Sequence, residues 1–352
     1  MSLRDILCAR IAQNGPISLA DYMAECLLHP EFGYYTSQTP FGSAGDFITA
    51  PEISQIFGEL IGLCLAQTWM DQTCPEAFTL AELGPGRGTL MADLLRATRG
   101  VPGFHEAANI VLIEASPALA SQQRDALSGF DVTHVSTVTD LPEMPLFIIA
   151  NEFFDALPIR QFTRGARHWR ETQIGLREAA LTLGLGPELP QPALADRLAD
   201  TKPGDVIEIA PSAAPIVGSI GQRIAQHGGA GLIVDYGDWR SLGDTFQALQ
   251  RHAPTDPLCD PGAADLTAHV DFEALSGAAG CANTRLSTQG VFLERLGITQ
   301  RARDLAQKLR GSALERHIQA HRRLTHPDEM GNLFKVMGLF PEGSPPPPGL
   351  EI

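Results

Sequence analysis

The stretch LAELGPGRGTLMADLL, Leu80–Leu95, decides the fold of this chain. An apolar run containing Glu82 leads into three glycines at alternate positions, and apolar residues at helical spacing follow. The three are Gly84, Gly86 and Gly88. This order is typical of a strand, a tight turn and a helix, which form the ligand-binding corner of many α/β sheets.

The spacing of these glycines separates two classes of ligand. A dinucleotide fingerprint has glycine at its first, third and sixth positions, whereas Thr89 stands sixth here. A glycine backbone tolerates positive φ and lets a ligand approach closely. The pattern therefore disfavours NAD and favours a phosphate-free nucleoside with an amino-acid tail, S-adenosylmethionine. The alternative is a turn that only closes a strand–helix corner.

The pattern around this corner predicts a doubly wound α/β sheet. Four apolar segments, FTLAEL, NIVLIEA, DVTHVS and PLFIIANEF, alternate with helical stretches, as in a parallel sheet. We expect a helical extension before it, with helices at Leu3–Gln13 and Leu19–Leu28. A loop of aromatic residues and glycines then leads into a long helix from about Ile53 to Met70.

The domain prediction follows from this pattern. Residues 1–77 form a helical cap with an active-site loop, and residues 78–340 form the core, with an antiparallel insertion at about 159–230. The helix Ala213–His227 and the strand GLIVDYG follow the antiparallel strands, and TFQALQRH and NLFKVMGLF are predicted to close the sheet. Residues 341–352 form a proline-rich tail, which we expect to be extended and mobile.

Composition narrows the possible partners and location. Lys and Arg number 26 against 41 Asp and Glu, and no basic cluster offers the surface that nucleic acid requires. The apolar runs are too short to span a bilayer, and no signal-peptide core stands at the N-terminus. The six cysteines show no metal-ligand spacing. We expect a cytoplasmic protein with no nucleic-acid partner, no membrane insertion and no metal; the oligomeric state is not predicted.

Acidic and amide side chains mark the carboxyl ends of the predicted strands, where ligands of such sheets bind. Glu114 follows the second strand and is our candidate for the two ribose hydroxyls; its alternative role is to cap the helix that begins near Pro117. The predicted cofactor-binding set is Glu82, Gly84, Gly86, Gly88, Glu114 and Asn151.

The segment NEFFDALP, which begins at Asn151, predicts a site for a cation. Its carboxylates stand beside two phenylalanines, and a guanidinium matches carboxylates in a bidentate manner. Alternatively, Asn151 and Asp155 only hold a turn while the rings fill the core, an interpretation that does not explain Glu152. Glu152 is the first candidate for polarising the guanidinium, with Asp155 and Asp46 as helpers. His269 is a candidate proton acceptor, although a lone histidine is more often structural.

Several blocks together resemble one family. GYYTSQTPFGSAGDFITAPEISQIFGELIG, ELGPGRGTLMADLLR, ANEFFDALPIRQF, VDYG, DLTAHVDFEAL and MGNLFKVM occur in that order, as in the MidA-like methyltransferases, the group that includes the mitochondrial complex I assembly arginine methyltransferase. The resemblance runs from about Tyr22 to Met337. It implies the class I methyltransferase (Rossmann-like) fold and S-adenosyl-L-methionine as donor. It also implies symmetric dimethylation of an arginine in a complex I subunit, in support of complex assembly, with the mitochondrial matrix as alternative location.

Two other functions remain open at this point. A protein amide or amine N-methyltransferase would keep the donor site and hold a neutral nitrogen with Asn151 and Phe154. A non-catalytic assembly factor would keep the fold and retain donor binding without turnover. The presence of Gly84, Gly86, Gly88 and Glu114 together counts against such a factor, because a protein without turnover needs no intact donor site.

Overall fold

The residues around the glycine turn fold as the sequence predicts, into a strand at Phe78–Leu83 and a helix at Thr89–Thr98. The computed structural model describes residues 1–37 and 49–352, and the elements below belong to this part of the chain. The helices are α1 (Leu3–Asn14), α2 (Leu19–Leu28), α3 (Tyr34–Ser37), α4 (Ala50–Ile53), α5 (Gln55–Asp71), α6 (Thr89–Thr98), α7 (Phe104–Ala107), α8 (Pro117–Ala126), α9 (Ala213–His227), α10 (Phe272–Ala279), α11 (Gln289–Arg295), α12 (Ile298–Ala306), α13 (Gly311–Thr325) and α14 (Met330–Leu333).

The strands are β1 (Ile17–Ser18), β2 (Phe78–Leu83), β3 (Ala108–Ile113), β4 (Val132–Val135), β5 (Leu146–Asn151), β6 (Arg160–Arg164), β7 (Trp169–Arg177), β8 (Ala180–Leu189), β9 (Val206–Ile209), β10 (Gly229–Asp238), β11 (Gln247–Gln250), β12 (Ala253–Thr255), β13 (Asp265–Thr267), β14 (Val270–Asp271), β15 (Ala282–Asn283), β16 (Ser287–Thr288) and β17 (Phe334–Phe340). No helix among the described residues combines the length and the apolar character needed to cross a membrane.

The chain forms two compact units. Among the described residues, the first unit consists of residues 1–37, 155–213 and 238–271, and the second consists of residues 49–154, 214–237 and 272–352. The predicted domain boundaries, at residues 77 and 340 with an insertion at about 159–230, stay predictions from the sequence.

The second unit contains the predicted parallel sheet, in the order β15-β17-β10-β5-β2-β3-β4. Strands β10, β5, β2, β3 and β4 are parallel neighbours, and β17 runs antiparallel beside β10. The chain proceeds outward from β2 to β4 and returns to β5 on the opposite side of β2. This reversal between β2 and β5 is the kind of crevice in which open α/β sheets bind ligands. The mostly parallel α/β architecture agrees with the predicted fold class.

Helix α5 belongs to the core of the second unit because two of its glycines allow close packing. A Cβ on Gly62 would lie 2.9 Å from the Cα of Leu94, and one on Gly58 would lie 2.7 Å from the Cβ of Asp93. Helix α6, which carries Leu94, can therefore lie directly against α5. The apolar composition of α5 predicted a long helix. It did not predict that α5 packs against α6, which is formed by residues further along the chain.

The first unit is antiparallel. Strands β1, β7, β6 and β9 are neighbours in that order, with β8 paired to β7, and a smaller sheet has the order β12-β11-β13. The prediction that TFQALQRH closes the main sheet is wrong, because this segment forms β11 in the smaller sheet. Arg251 and His252 have φ values of 52° and 62°, and such a two-residue turn pairs β11 with β12 locally.

The proline-rich tail packs against the second unit, contrary to the expected mobile segment. Leu350 is buried, and a Cβ on Gly338 of β17 would lie 2.8 Å from its Cδ1. The backbone N–H of Arg285 donates to the carbonyl of Glu351 at 2.8 Å. An apolar side chain near the end of the segment thus anchors it.

Candidate functional site

The glycine turn after β2 has a left-handed backbone at each glycine. The φ values of Gly84, Gly86 and Gly88 are 68°, 53° and 80°. Residues other than glycine adopt such backbone angles only with strain. A Cβ on Gly84 would also lie 2.8 Å from Cδ2 of Phe153. Both conformation and close approach therefore require glycine at position 84.

Glu82 is buried beside this turn. Its side chain is 3% exposed, and Oε2 has no hydrogen-bond partner among the described residues. Burial raises the pKa of Glu82 to about 8, although a hydrogen bond from the backbone N–H of Met91 opposes the shift. A neutral carboxyl with an unused oxygen suits a polar or cationic ligand group, which would favour its ionised form.

Asn151 ends β5, the strand next to β2. Its Nδ2 donates to Oε1 of Glu152 at 3.2 Å, while its buried Oδ1 accepts no hydrogen bond from the part of the chain that the structure describes. Glu82 and Asn151 thus provide two buried oxygens with unused acceptor capacity on adjacent strands. This is what a polar ligand at the strand ends requires.

Glu114 follows β3, and two donors hold its carboxylate. Oε1 accepts from the backbone N–H of Ser116 at 2.7 Å, and Oε2 accepts from Nε2 of Gln123 at 3.0 Å. The Ser116 hydroxyl accepts from the backbone N–H of Leu119 and so caps α8 itself. Each carboxylate oxygen can accept more than one hydrogen bond, which leaves capacity for ribose hydroxyls. Burial raises the pKa of Glu114.

Glu152 lies in a strained turn after β5. Its φ is 52°, a conformation that non-glycine residues rarely adopt, and its backbone N–H donates to the carbonyl of Val234 at 2.9 Å. Its side chain is half-buried, and Oε1 accepts from the backbone N–H of Ala50 at 3.0 Å. The carboxylate therefore braces the start of α4, a role that the sequence did not suggest.

Asp235 is a residue that the sequence reasoning missed. It is fully buried on β10, and its Oδ2 accepts from the backbone N–H groups of Phe153 and Phe154, at 3.2 and 2.9 Å. The two rings meet edge to face, with centroids 5.4 Å apart. Asp235 thus fixes the turn that places Phe153 against Gly84. The only sequence signal was an acid inside the otherwise apolar strand GLIVDYG.

Two of the remaining catalytic candidates, Asp155 and His269, belong to the first unit. Asp155 is buried, and its carbonyl accepts from the backbone N–H of Ala268 at 3.0 Å. The backbone N–H of His269 donates to Oγ1 of Thr245 at 2.8 Å, and the Thr245 hydroxyl donates to the buried Glu208. Asp46 lies outside the described residues.

Within the first unit, the charge of Asp155 acts on Tyr35, a residue that the sequence reasoning did not single out. The hydroxyl of Tyr35 donates to Oδ1 of Asp265 at 2.8 Å. Burial raises the pKa of Tyr35, and the negative charges of Asp265 and Asp155 raise it further. Alternation along β13 places Asp265 and Thr267 on the same face of that strand.

Comparison with known proteins identifies the family. The model of the family described as "Putative S-adenosyl-L-methionine-dependent methyltransferase" matches residues 60–291. The chain belongs to this methyltransferase family. It is 37% identical, over 97% of its length, to the Xenopus laevis protein named protein arginine methyltransferase NDUFAF7, mitochondrial, and covers 84% of that protein. The Homo sapiens protein of the same name is 34% identical over 95% of this chain, which covers 82% of it.

A solved structure gives the same result for the fold and the cofactor. A Burkholderia thailandensis protein bound to S-adenosyl-homocysteine superposes on this methyltransferase with a TM-score of 0.82 at 29% identity, over 96% of this chain and 91% of the other. The predicted fold class and the predicted methyl donor, S-adenosyl-L-methionine, are confirmed. The curated relatives are named as mitochondrial, which agrees with the alternative location and gives no support to the cytoplasmic one.

Proposed function

We propose that this methyltransferase transfers methyl groups from S-adenosyl-L-methionine to an arginine of a respiratory complex I subunit or its homologue. We further propose that the product is symmetric dimethylarginine and that the modification supports assembly of the complex. The observation that carries the arginine specificity is the 37% identity, over nearly the whole chain, to a relative named as a protein arginine methyltransferase. The resemblance of the sequence blocks to the MidA-like group supports the complex I substrate.

The donor site that we propose lies at the carboxyl ends of β2, β3 and β5. The glycine turn lets the ligand lie close to the backbone, and Glu114 accepts hydrogen bonds from the ribose hydroxyls. The unused oxygens of Glu82 and Asn151 accept hydrogen bonds from polar groups of S-adenosyl-L-methionine. These residues belong to one unit and lie at, or directly after, the carboxyl ends of neighbouring parallel strands. They fit a phosphate-free nucleoside with a charged tail.

The donor supplies an electrophilic methyl group on a sulfonium, so the protein must align the acceptor nitrogen and exclude water. A guanidinium is a weak nucleophile because its charge is delocalised and it stays protonated near neutral pH. We assign Glu152 to hold and polarise the guanidinium, since a preorganised carboxylate stabilises positive charge during transfer. The contributions of Asp155 and His269, which belong to the first unit, and of Asp46, which lies outside the described residues, stay predictions from the sequence.

The test combines donor binding with methyl transfer. Calorimetry with S-adenosylmethionine, S-adenosyl-homocysteine and NAD should show binding of the first two only. The purified protein and the labelled donor are then incubated with the complex I subunit homologue, and the labelled residue is identified by mass spectrometry. Label on arginine, as symmetric dimethylarginine, is the expected result.

Other outcomes would contradict particular parts of the proposal. Label on glutamine, asparagine or lysine would overturn the arginine assignment and favour the amide or amine N-methyltransferase. Tight donor binding without label on the subunit would favour the assembly factor without turnover. Asymmetric dimethylarginine would leave the substrate class intact and refute the symmetric product.

A further inference from the structure

Gln123 connects two parts of the proposed donor site. It lies on α8, is fully buried, and its Nε2 donates both to the carbonyl of Gly86 at 2.8 Å and to Oε2 of Glu114 at 3.0 Å. Its Oε1 lies 2.9 Å from Nε2 of His134 on β4. All the hydrogen-bonding atoms of this amide are therefore engaged within one unit.

The partners of the amide determine its orientation. A backbone carbonyl and a carboxylate oxygen only accept, so the amide nitrogen must face them and the amide oxygen must face His134. The imidazole then donates through Nε2–H. Burial lowers the pKa of His134, and nearby Arg124 lowers it further, so the neutral ring carries the donating proton on this nitrogen. Exchange of the amide ends would break three contacts at once.

We propose that Gln123 is the positioning residue for ribose recognition. The amide fixes the distance between the Gly86 carbonyl of the glycine turn and the Glu114 carboxylate, while the backbone N–H of Ser116 holds the other carboxylate oxygen. Two donors from different directions set the plane of the carboxylate, and its remaining lone pairs face the ribose in a defined direction. Because the carboxylate of Glu114 is already held in this orientation, ligand binding does not include the entropic cost of ordering it. This inference rests on the proposed donor site.

The test is a thermodynamic cycle that combines substitution of Gln123 with removal of the two ribose hydroxyls from the ligand. Gln123→Met keeps the length of the side chain and removes both donors. We expect this variant to bind S-adenosyl-homocysteine about tenfold more weakly than the wild type, because a hydrogen-bonded charged group loses its position. Its affinity for the 2′,3′-dideoxyribose counterpart should change by no more than about twofold, since that ligand has no hydroxyls for Glu114 to accept. Calorimetry measures all four constants.

Matched variants separate positioning from general destabilisation. Gln122→Met changes the neighbouring residue of α8, whose side chain makes no hydrogen bond to the residues that the structure describes, and should alter neither affinity. If Gln123→Met does not fold, His134→Leu, which releases the amide oxygen, is measured against the same two ligands and should also weaken only the ligand with hydroxyls.

The outcomes distinguish this inference from the function on which it rests. Equal weakening of both ligands, or no weakening of either, would overturn the role of Gln123 in ribose recognition. Absence of S-adenosyl-homocysteine binding by the wild type would instead refute the proposed donor site.

Discussion

At the scale of single residues, the proton on Glu82 is linked to stability. The pKa of this buried carboxyl is raised to about 8 from an ordinary value of 4.5, so between these values the folded protein keeps a proton that the unfolded chain has lost. The stabilisation is therefore fully present below the unfolded pKa and is lost as pH rises through the folded pKa.

Glu82→Gln removes this titration and should change the pH dependence of unfolding. Relative to the wild type, the free energy of unfolding of the variant should rise between about pH 5 and about pH 8, by at most about 1.4 kcal/mol per pH unit. Urea denaturation of both proteins across this range measures the difference. Glu76→Gln, an exposed change in the same unit, is the control. Parallel profiles for Glu82→Gln and wild type would show that Glu82 does not titrate in this way.

Glu152 combines a structural contact with the proposed catalytic charge, and one substitution separates them. In Glu152→Gln the amide oxygen can still accept from the backbone N–H of Ala50, so the start of α4 stays braced. Loss of the negative charge should lower methyl transfer to arginine by about a hundredfold or more while donor affinity stays nearly constant. The measurements are labelled-methyl transfer and calorimetry. Unchanged turnover would leave Glu152 with the bracing role alone.

At the scale of elements, the glycine turn depends on close approach as well as on left-handed backbone. Gly84 and Gly280 share a φ of 68°, but a Cβ on Gly84 would meet Phe153 whereas one on Gly280 would have no atom within 4 Å. The pair therefore separates the two requirements of the turn.

Gly84→Ala should be more destabilising than Gly280→Ala. The second substitution costs about 1–2 kcal/mol for its backbone conformation alone. The first must also displace Phe153, and we expect it to add about 1–3 kcal/mol for overpacking and to weaken S-adenosyl-homocysteine binding. Chemical denaturation and calorimetry on both variants give the comparison. Equal losses of stability and intact binding in both would argue against the Phe153 contact.

Element positions that depend on nearby residues were predictable. Ser18 opens α2 by accepting from the backbone N–H of Asp21 at 3.0 Å, and this helix ends at Leu28 as predicted. Strand β11 shows where such reasoning fails, because a short alternating segment fits either sheet. The turn at Arg251 and His252 pairs it with β12, and neither residue is the asparagine, aspartate or glycine that two-residue hairpin turns favour.

At the scale of the whole molecule, the C-terminal segment contributes to the stability of the second unit. Leu350 is 6% exposed and contacts the core, whereas Ile352 is 69% exposed. Leu350→Ala should lower the free energy of unfolding by about 2–4 kcal/mol because it leaves a cavity against β17. Ile352→Ala should change it by less than about 0.5 kcal/mol. Thermal and urea unfolding test both, and similar small effects would mean that the tail packs loosely.

The sequence by itself determined the alternation of strands and helices in the sheet, the glycine turn and the class of donor. These follow from the periodicity of apolar residues and from the sterics of glycine, which act between neighbours along the chain. Only the tertiary structure decided that Gln123 holds Glu114 and Gly86, that Asp235 fixes the turn after β5, and that α5 packs against α6. The hydrogen bonds of Gln123 to Gly86 and of Asp235 to Phe153 join residues 37 and 82 positions apart. Such contacts exist only once the strand order has brought distant segments together, and neither amide nor carboxylate shows in its local sequence which partner it will meet.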